Sequence, residues 1–141
     1  MAVEWTETMT TGVELVDNRN KEFFRHVAKF GEAVEKNNRY EIGRSPDLLA
    51  HFAMRHFAEE ELCMEKLLCP AAEDDKLAHE EFLDKLDLFR ERYAEHGSNP
   101  KMAVHFFDTL GKWLVKHITE IDTQLRDCVT PSDAPALATS C

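Results

Sequence analysis

Apolar residues recur at helical spacing in four separate stretches of the chain. The first stretch runs from about residue 17 to 37, and its repeating positions are Phe23, Val27, Phe30 and Val34. Intervals of three and four residues place such side chains on one face of an α-helix. Asp17 is the expected N-cap of this helix, and residues 1–16 are expected to form an extended lead-in. No stretch shows the strict apolar–polar alternation typical of a half-buried strand.

Two of the other helices have a cap residue followed by proline at their start. Ser45-Pro46 supplies this signal for the second helix, which is expected to end near Leu68, and one turn from Tyr40 can precede it. Asn99-Pro100 supplies the same signal for the fourth helix, which is expected to reach about Cys128. Its apolar stripe is Val104, Phe107, Leu110, Leu114, Ile118, Ile121 and Leu125.

The third helix is expected over residues 71–95 and ends at Gly97-Ser98-Asn99. Its apolar positions are Leu77, Phe82, Leu86 and Phe89. Four amphipathic helices joined by short loops pack most simply as an antiparallel bundle. The pattern therefore predicts an all-α, up-down four-helix bundle with an extended N-terminal lead-in. One domain is expected over residues 1–130, followed by a flexible tail over 131–141, where Pro131, Pro135 and small residues are found.

Composition narrows the possible partners and locations. The chain has 141 residues, 17 of them Lys or Arg and 27 Asp or Glu, so its net charge is −10. This acidity argues against nucleic acid and anionic membranes as partners, because both are bound through clustered cations. No apolar run is long enough to span a membrane, and the N-terminus does not have the pattern of a signal peptide. We therefore expect a cytoplasmic protein whose four cysteines are reduced thiols.

Several ionisable residues occur among the apolar positions of these helices. His56 and Glu60 are one turn apart on the second helix, in a row with Phe52 and Met64. On the third helix His79 lies between Leu77 and Phe82, and on the fourth His117 and Asp122 follow Trp113. Any one of these alone is more typical of a solvated face or of a hydrogen-bonded core histidine than of a ligand. The other histidines, His26, His51, His96 and His105, fit surface or boundary positions.

Taken together, these residues predict a metal site. Three helices each direct a histidine inward, and two of them add a carboxylate. Burying so many polar groups is costly unless something pairs with them, and a metal ion supplies that pairing. Imidazole and carboxylate ligands suit iron, manganese or zinc better than calcium.

The intervals between these residues resemble those of the hemerythrins, the bacterial hemerythrins in particular, over about residues 5–126. The matching pieces are Trp5, Gly12-Val13, Asp17, His56-Phe57, Glu60-Glu61, Met64, His79, Phe82, Trp113-Leu114, His117-Ile118 and Asp122. The resemblance implies a bridged site of two iron ions that binds dioxygen reversibly in its reduced form. Five histidines, one glutamate and one aspartate hold the metal in the usual family pattern.

Five ligand positions of the family have a matching residue in this chain. His79 and His117 match ligands of the three-histidine iron, and His56 matches a ligand of the iron that binds dioxygen. Glu60 and Asp122 match the two bridging carboxylates.

Two further positions depart from the family pattern, which has histidine at both. Asn20 occupies the first, where its amide is a weaker donor, and Asp75 occupies the second, where it adds negative charge and a shorter side chain. We expect an iron protein that binds or senses dioxygen or a related small ligand at this modified site, rather than an enzyme. Two alternatives stay open: oxidase- or peroxidase-like reactivity at an open, carboxylate-rich site, and a bundle that holds one metal ion or none.

Overall fold

Four long α-helices form the fold in the computed structural model, which describes residues 3–97 and 99–141. They are α1 (Glu14–Glu35), α2 (Arg39–Lys66), α3 (Ala72–His96) and α4 (Pro100–Glu120). Short 3-10 helices lie at Glu7–Met9, Asp122–Asp127 and Ala136–Ala138. The helices are joined by connections of three to five residues, 36–38, 67–71 and 97–99, so neighbouring helices run antiparallel. The prediction of an all-α four-helix bundle is confirmed, and the described residues contain no strand.

The boundary between α3 and α4 lies where the sequence predicts it. Gly97 ends α3 with φ at +69°, a conformation that favours glycine. Asn99 caps α4, because its Oδ1 accepts hydrogen bonds from the backbone N–H groups of Lys101 and Met102. Pro100 then occupies the first helical position, and Ser98 lies outside the described residues.

The Ser45-Pro46 signal does not mark the start of α2, whereas the earlier start left open near Tyr40 agrees with the structure. The helix begins at Arg39, and its N-cap is Asn38, whose Oδ1 accepts a hydrogen bond from the backbone N–H of Glu41. Ser45 and Pro46 therefore lie inside the helix. Proline removes one backbone hydrogen bond there, but the apolar face on both sides of it is buried and keeps the helix continuous.

The predicted cap of α1 and the predicted end of α4 are also wrong. The first helix begins at Glu14, so Asp17 lies within its first turn and instead accepts hydrogen bonds from the backbone N–H and the hydroxyl of Thr11, both at 2.8 Å. The fourth α-helix ends at Glu120, and a 3-10 helix continues the chain. Leu77 and Val104, assigned to apolar stripes, are more than half exposed.

Buried apolar side chains form two clusters along the bundle. We call the larger one the aromatic cluster, because it contains Phe23, Phe24, Phe30, Phe57, Phe82, Phe89 and Phe106. The smaller one, here the end cluster, consists of Val13, Val16, Cys63, Met64, Cys69, Ala71, Leu125 and Leu137. Both clusters draw side chains from several helices, so together they fix the relative positions of the helices.

The cysteines differ from the expectation. They form two disulfides, Cys63–Cys141 and Cys69–Cys128, so the prediction of four reduced thiols is wrong. The bonded residues are 78 and 59 positions apart, which is why spacing along the sequence did not reveal the pairs. The first disulfide ties residue 141 to α2, and Leu137 in the same segment is buried.

The domain boundary at residue 130 stays a prediction. Within the described residues, no helix combines the length and apolar character needed to cross a membrane.

Candidate metal centre

A layer of buried polar residues separates the aromatic cluster from the end cluster. It contains Asn20 on α1, His56 and Glu60 on α2, Asp75 and His79 on α3, His117 on α4 and Asp122 at the start of the next 3-10 helix. Each of these side chains is at most 5% exposed. On α1 and α2 the layer falls between residues of the end cluster and residues of the aromatic cluster, and next to α3 and α4 the end-cluster residues Ala71 and Leu125 lie just beyond the helix ends. The structure thus brings together all seven residues that the sequence singled out.

One half of this layer, the Asp75 half, contains Asp75, His79 and His117 together with one side of Glu60 and Asp122. One ligand atom from each of these five residues lies within 4.8 Å of all the others. The Nε2 atoms of His79 and His117 are 3.1 Å apart, and they lie 3.0 and 3.1 Å from Asp75 Oδ1. This half therefore concentrates nitrogen and oxygen ligands around one point.

The other half, the Asn20 half, contains Asn20 and His56. Asn20 Oδ1 lies 2.8 Å from His56 Nε2, and Asn20 Nδ2 donates a hydrogen bond of 3.1 Å to Asp122 Oδ2. Both ends of the amide are therefore already paired with groups of the layer. The hydrogen-bonding groups of the Asn20 side chain are thus satisfied within the protein.

The two carboxylates between the halves each direct one oxygen to either side. Glu60 Oε1 is 3.1 Å from His79 Nε2, while Glu60 Oε2 is 3.8 Å from His56 Nε2. Asp122 Oδ1 is 2.9 Å from His117 Nε2, while its Oδ2 faces Asn20. Glu60 and Asp122 thus each contact both halves of the layer.

Burial and close opposite charges shift the pKa values of the layer strongly. Burial raises the pKa of Glu60 well above its usual value, and the nearby Asp122 and Asp75 add to this rise. Burial alone would raise the pKa of Asp75 and lower those of His79 and His117. Contacts between these groups outweigh it, so the Asp75 pKa is held below its usual value and that of His117 well above its own. The pKa of His79 rises to about 10 through Asp75 and Glu60.

The Asn20 half responds differently to burial. Burial lowers the pKa of His56 to about 4, against a usual value of 6.5, because the nearby acidic groups do not offset the loss of water. His56 is therefore neutral near pH 7. The raised pKa values of His79, His117 and Glu60 favour protons on these groups, beside the carboxylates of the Asp75 half, when no metal is bound.

Aromatic rings and one further carboxylate fix the histidines of the Asp75 half. The ring of Phe57 stacks on His79 with centroids 3.8 Å apart and planes at 8°, and Trp113 stacks on His117 at 4.5 Å and 9°. Glu61 Oε2 lies 3.0 Å from Nδ1 of His79. Glu61 belongs to the Glu60-Glu61 pair that matches the family, but its contact with His79 was not predicted from the sequence.

The four histidines expected at the surface or its boundary lie outside the layer. His51, His96 and His105 are exposed, and half-buried His26 packs against the ring of Phe52.

Comparison with known proteins shows the family of the chain. The family model described as "Hemerythrin HHE cation binding domain" matches residues 11–128. A bacteriohemerythrin of Methylococcus capsulatus is 30% identical over 132 residues, which are 89% of this chain and 95% of that protein. A bacteriohemerythrin of Pseudomonas aeruginosa is 24% identical, covering 91% of this chain and 82% of that protein. The myohemerythrin of Sipunculus nudus is 28% identical, and the match covers 84% of this chain and 86% of that protein.

Solved structures support the fold. A hemerythrin point mutant superposes with a TM-score of 0.73 at 24% identity, and the alignment covers 99% of this chain and 100% of that one. The family match spans most of the chain and includes every residue of the buried layer. The fold and the layer define a four-helix cation-binding domain, and the chain belongs to the hemerythrin family.

Proposed function

We propose that this chain is a non-heme iron protein of the hemerythrin type that binds dioxygen or a related small ligand at a modified site. The observation that carries the proposal is the arrangement of Glu60 and Asp122, each with one oxygen toward either half of a buried layer. His56, His79 and His117 supply the nitrogen ligands, and Asp75 supplies an additional carboxylate. Bound ferrous iron would supply the electron density that dioxygen binding requires.

The Asp75 half fits a metal ion closely. Two ligands at right angles, each about 2.1 Å from an ion, are about 3 Å apart. The contacts of Asp75, His79 and His117 with one another are 3.0–3.1 Å. Both oxygens of Glu60 and of Asp75 are buried without a well-aligned hydrogen bond. A cation would satisfy these oxygens, and its charge would replace the protons held there in its absence.

The Asn20 half fits an ion less well. An ion bound there would have to displace the hydrogen bonds that Asn20 makes with His56 and Asp122. The amide oxygen offered in return is a neutral and weaker ligand than imidazole. The residues of the Asp75 half would therefore hold an ion more tightly than those of the Asn20 half.

A second candidate function is oxidase- or peroxidase-like reactivity. Asp75 favours this second function, because Asp75, Glu60 and Asp122 would together place three carboxylates around one ion. Carboxylate ligands stabilise the more oxidised state of a metal ion, whereas reversible dioxygen binding requires return to the reduced state.

Metal analysis and optical spectra test the proposal. Anaerobically purified protein should contain iron, and its reduced form should develop an absorption band with dioxygen that disappears when the gas is removed. Turnover of added peroxide without a reversible band would favour the second candidate. A protein reconstituted under these conditions that retains no metal ion would contradict both.

A further inference from the structure

Glu61 is the acidic residue next to the bridging Glu60, but its carboxylate contacts the outer side of a histidine. Its Oε2 lies 3.0 Å from Nδ1 of His79, whereas the Nε2 atom of the same ring points into the layer. An ionised carboxylate can only accept a hydrogen bond, so Nδ1 of His79 is the donor. The contact therefore leaves Nε2 as the nitrogen that faces the Asp75 half.

The contact is built into α2 by residues one turn apart. Phe57 and Glu61 project from the same face of the helix, and both contact the ring of His79 on α3. Stacking against Phe57 fixes the plane of the ring, and the hydrogen bond to Glu61 fixes its rotation within that plane. Phe57 and Glu61 on α2 thus determine the direction in which Nε2 of His79 on α3 points.

His79 is distinguished from the other two histidines of the layer by this partner. The Nδ1 atoms of His56 and His117 are buried, and neither has a hydrogen-bond partner among the described residues. Glu61 is 25% exposed on its side chain, so its charge is retained at less cost than that of a fully buried carboxylate. Glu60 is next to Glu61 in the sequence but contacts the other nitrogen of the ring, since its Oε1 lies 3.1 Å from Nε2 of His79.

We propose that Glu61 is a positioning residue for His79, which holds Nε2 toward the layer and strengthens its bond to a metal ion. The inference rests on the proposed function, since it assumes that His79 binds a metal. A carboxylate that accepts the distal N–H of a metal-bound histidine fixes the ring and raises its basicity. Loss of such a partner commonly lowers metal affinity about 10- to 100-fold.

Zn²⁺ is a suitable probe because it binds imidazole and carboxylate and has no redox chemistry. Its affinity would be measured by competition with a chelator for the wild type, Glu61→Ala and Glu61→Gln. Glu65→Ala is the matched control, since Glu65 is an exposed acidic residue one turn further along α2. We expect Glu61→Ala to bind Zn²⁺ about 10- to 100-fold more weakly, Glu61→Gln to fall between it and the wild type, and the control to be unchanged.

Nitrogen-15 NMR of the Zn²⁺-loaded proteins reports on His79 itself. The Nδ1–H proton of His79 should exchange slowly with water in the wild type and in Glu61→Gln, and faster in Glu61→Ala. Equal Zn²⁺ affinity in Glu61→Ala and Glu65→Ala, or unchanged exchange of this proton, would overturn the role of Glu61. Absence of Zn²⁺ and Fe²⁺ binding by the wild type would instead overturn the proposed function.

Discussion

The Asp75 half and the Asn20 half of the layer share two carboxylates but differ in charge and in hydrogen bonding. The Asp75 half has a third carboxylate and two histidines whose pKa values are raised. The Asn20 half has a neutral amide, and its histidine has a pKa lowered to about 4. The carboxylates of the Asp75 half therefore need protons or a metal ion to balance their negative charge. Asn20 and His56 in the other half are neutral and need no such partner.

The comparison indicates that the two predicted departures from the family pattern, Asn20 and Asp75, have opposite effects on the layer. Asp75 adds negative charge where two histidines and two carboxylates already converge, which favours a cation. Asn20 replaces a strong nitrogen ligand with an amide that pairs with its neighbours. Glu60 and Asp122 thus lie between two unequal halves and contact both.

The largest effect is expected from removing the shared ligand Glu60. Glu60→Ala and the isosteric Glu60→Gln should both lose metal from the two halves, because Glu60 directs one oxygen to each. Loss of the metal would also remove the stabilisation that metal binding gives the folded state. This stabilisation is about 4 kcal/mol when the free metal concentration is a thousandfold above Kd. Metal content and the melting temperature with and without added metal measure this. Glu65→Ala is the control, and full metal content in both Glu60 variants would show that Glu60 is no ligand.

Removal of one histidine from each half should separate the halves. His79→Ala should abolish binding of the first ion, because it removes a nitrogen from the tighter half and leaves Asp75 with only one of its two histidine partners. His56→Ala should still bind one ion per chain, since His56 contacts only the other side of the bridge. Titration of both variants with Fe²⁺ under anaerobic conditions distinguishes them. If they lose metal to the same extent, the two halves do not act separately.

A smaller, positive effect is expected from Asn20→His. The substitution restores a nitrogen ligand and removes the hydrogen bonds that hold Asn20 to His56 and Asp122. Binding of the second ion should strengthen, while the first ion should be little affected. Calorimetric titration resolves the two steps. A second step unchanged from the wild type would mean that Asn20 does not limit the weaker half.

The smallest effect concerns the pH dependence of the metal-free protein. The pKa of His79 rises from 6.5 to about 10, so the stability it contributes is present below pH 6.5 and is lost as the pH rises through 10. The pKa of His56 falls to about 4, so its contribution is present above pH 6.5 and is lost as the pH falls through 4.

Denaturant unfolding across this pH range tests both signs. His79→Gln should flatten the alkaline side of the stability profile, and His56→Gln should flatten the acidic side. The difference between each variant and the wild type isolates one group from the many exposed acids. Profiles parallel to that of the wild type would contradict the assigned pKa directions.

The sequence predicted the bundle well because apolar residues recur at helical spacing throughout. Its errors lie where local signals compete with tertiary packing. Ser45-Pro46 has the form of a helix start, but the buried face around it continues α2 through the proline. The disulfides could not be predicted either, because each joins segments that only the folded bundle brings together.

For the candidate site, the sequence identified the residues of the layer but not their pairing. His56, Glu60, His79, His117 and Asp122 follow from the family intervals, and Asn20 and Asp75 follow as departures from them. That Asn20 is hydrogen-bonded on both sides, and that Asp75 contacts two histidines, depends on distances between helices. The contact of Glu61 with His79 was missed because the two residues lie on different helices.

The most direct test of the central claim is the binding of Fe²⁺ to the metal-free wild-type protein, followed anaerobically by calorimetry. The structure leads us to expect two separate steps, with the first ion bound more than about tenfold tighter than the second, a difference of roughly 1.4 kcal/mol. The family pattern provides for two ions, but after removal of free metal about one ion per chain should remain. Two ions bound with equal affinity and retained together would contradict the inequality of the two halves.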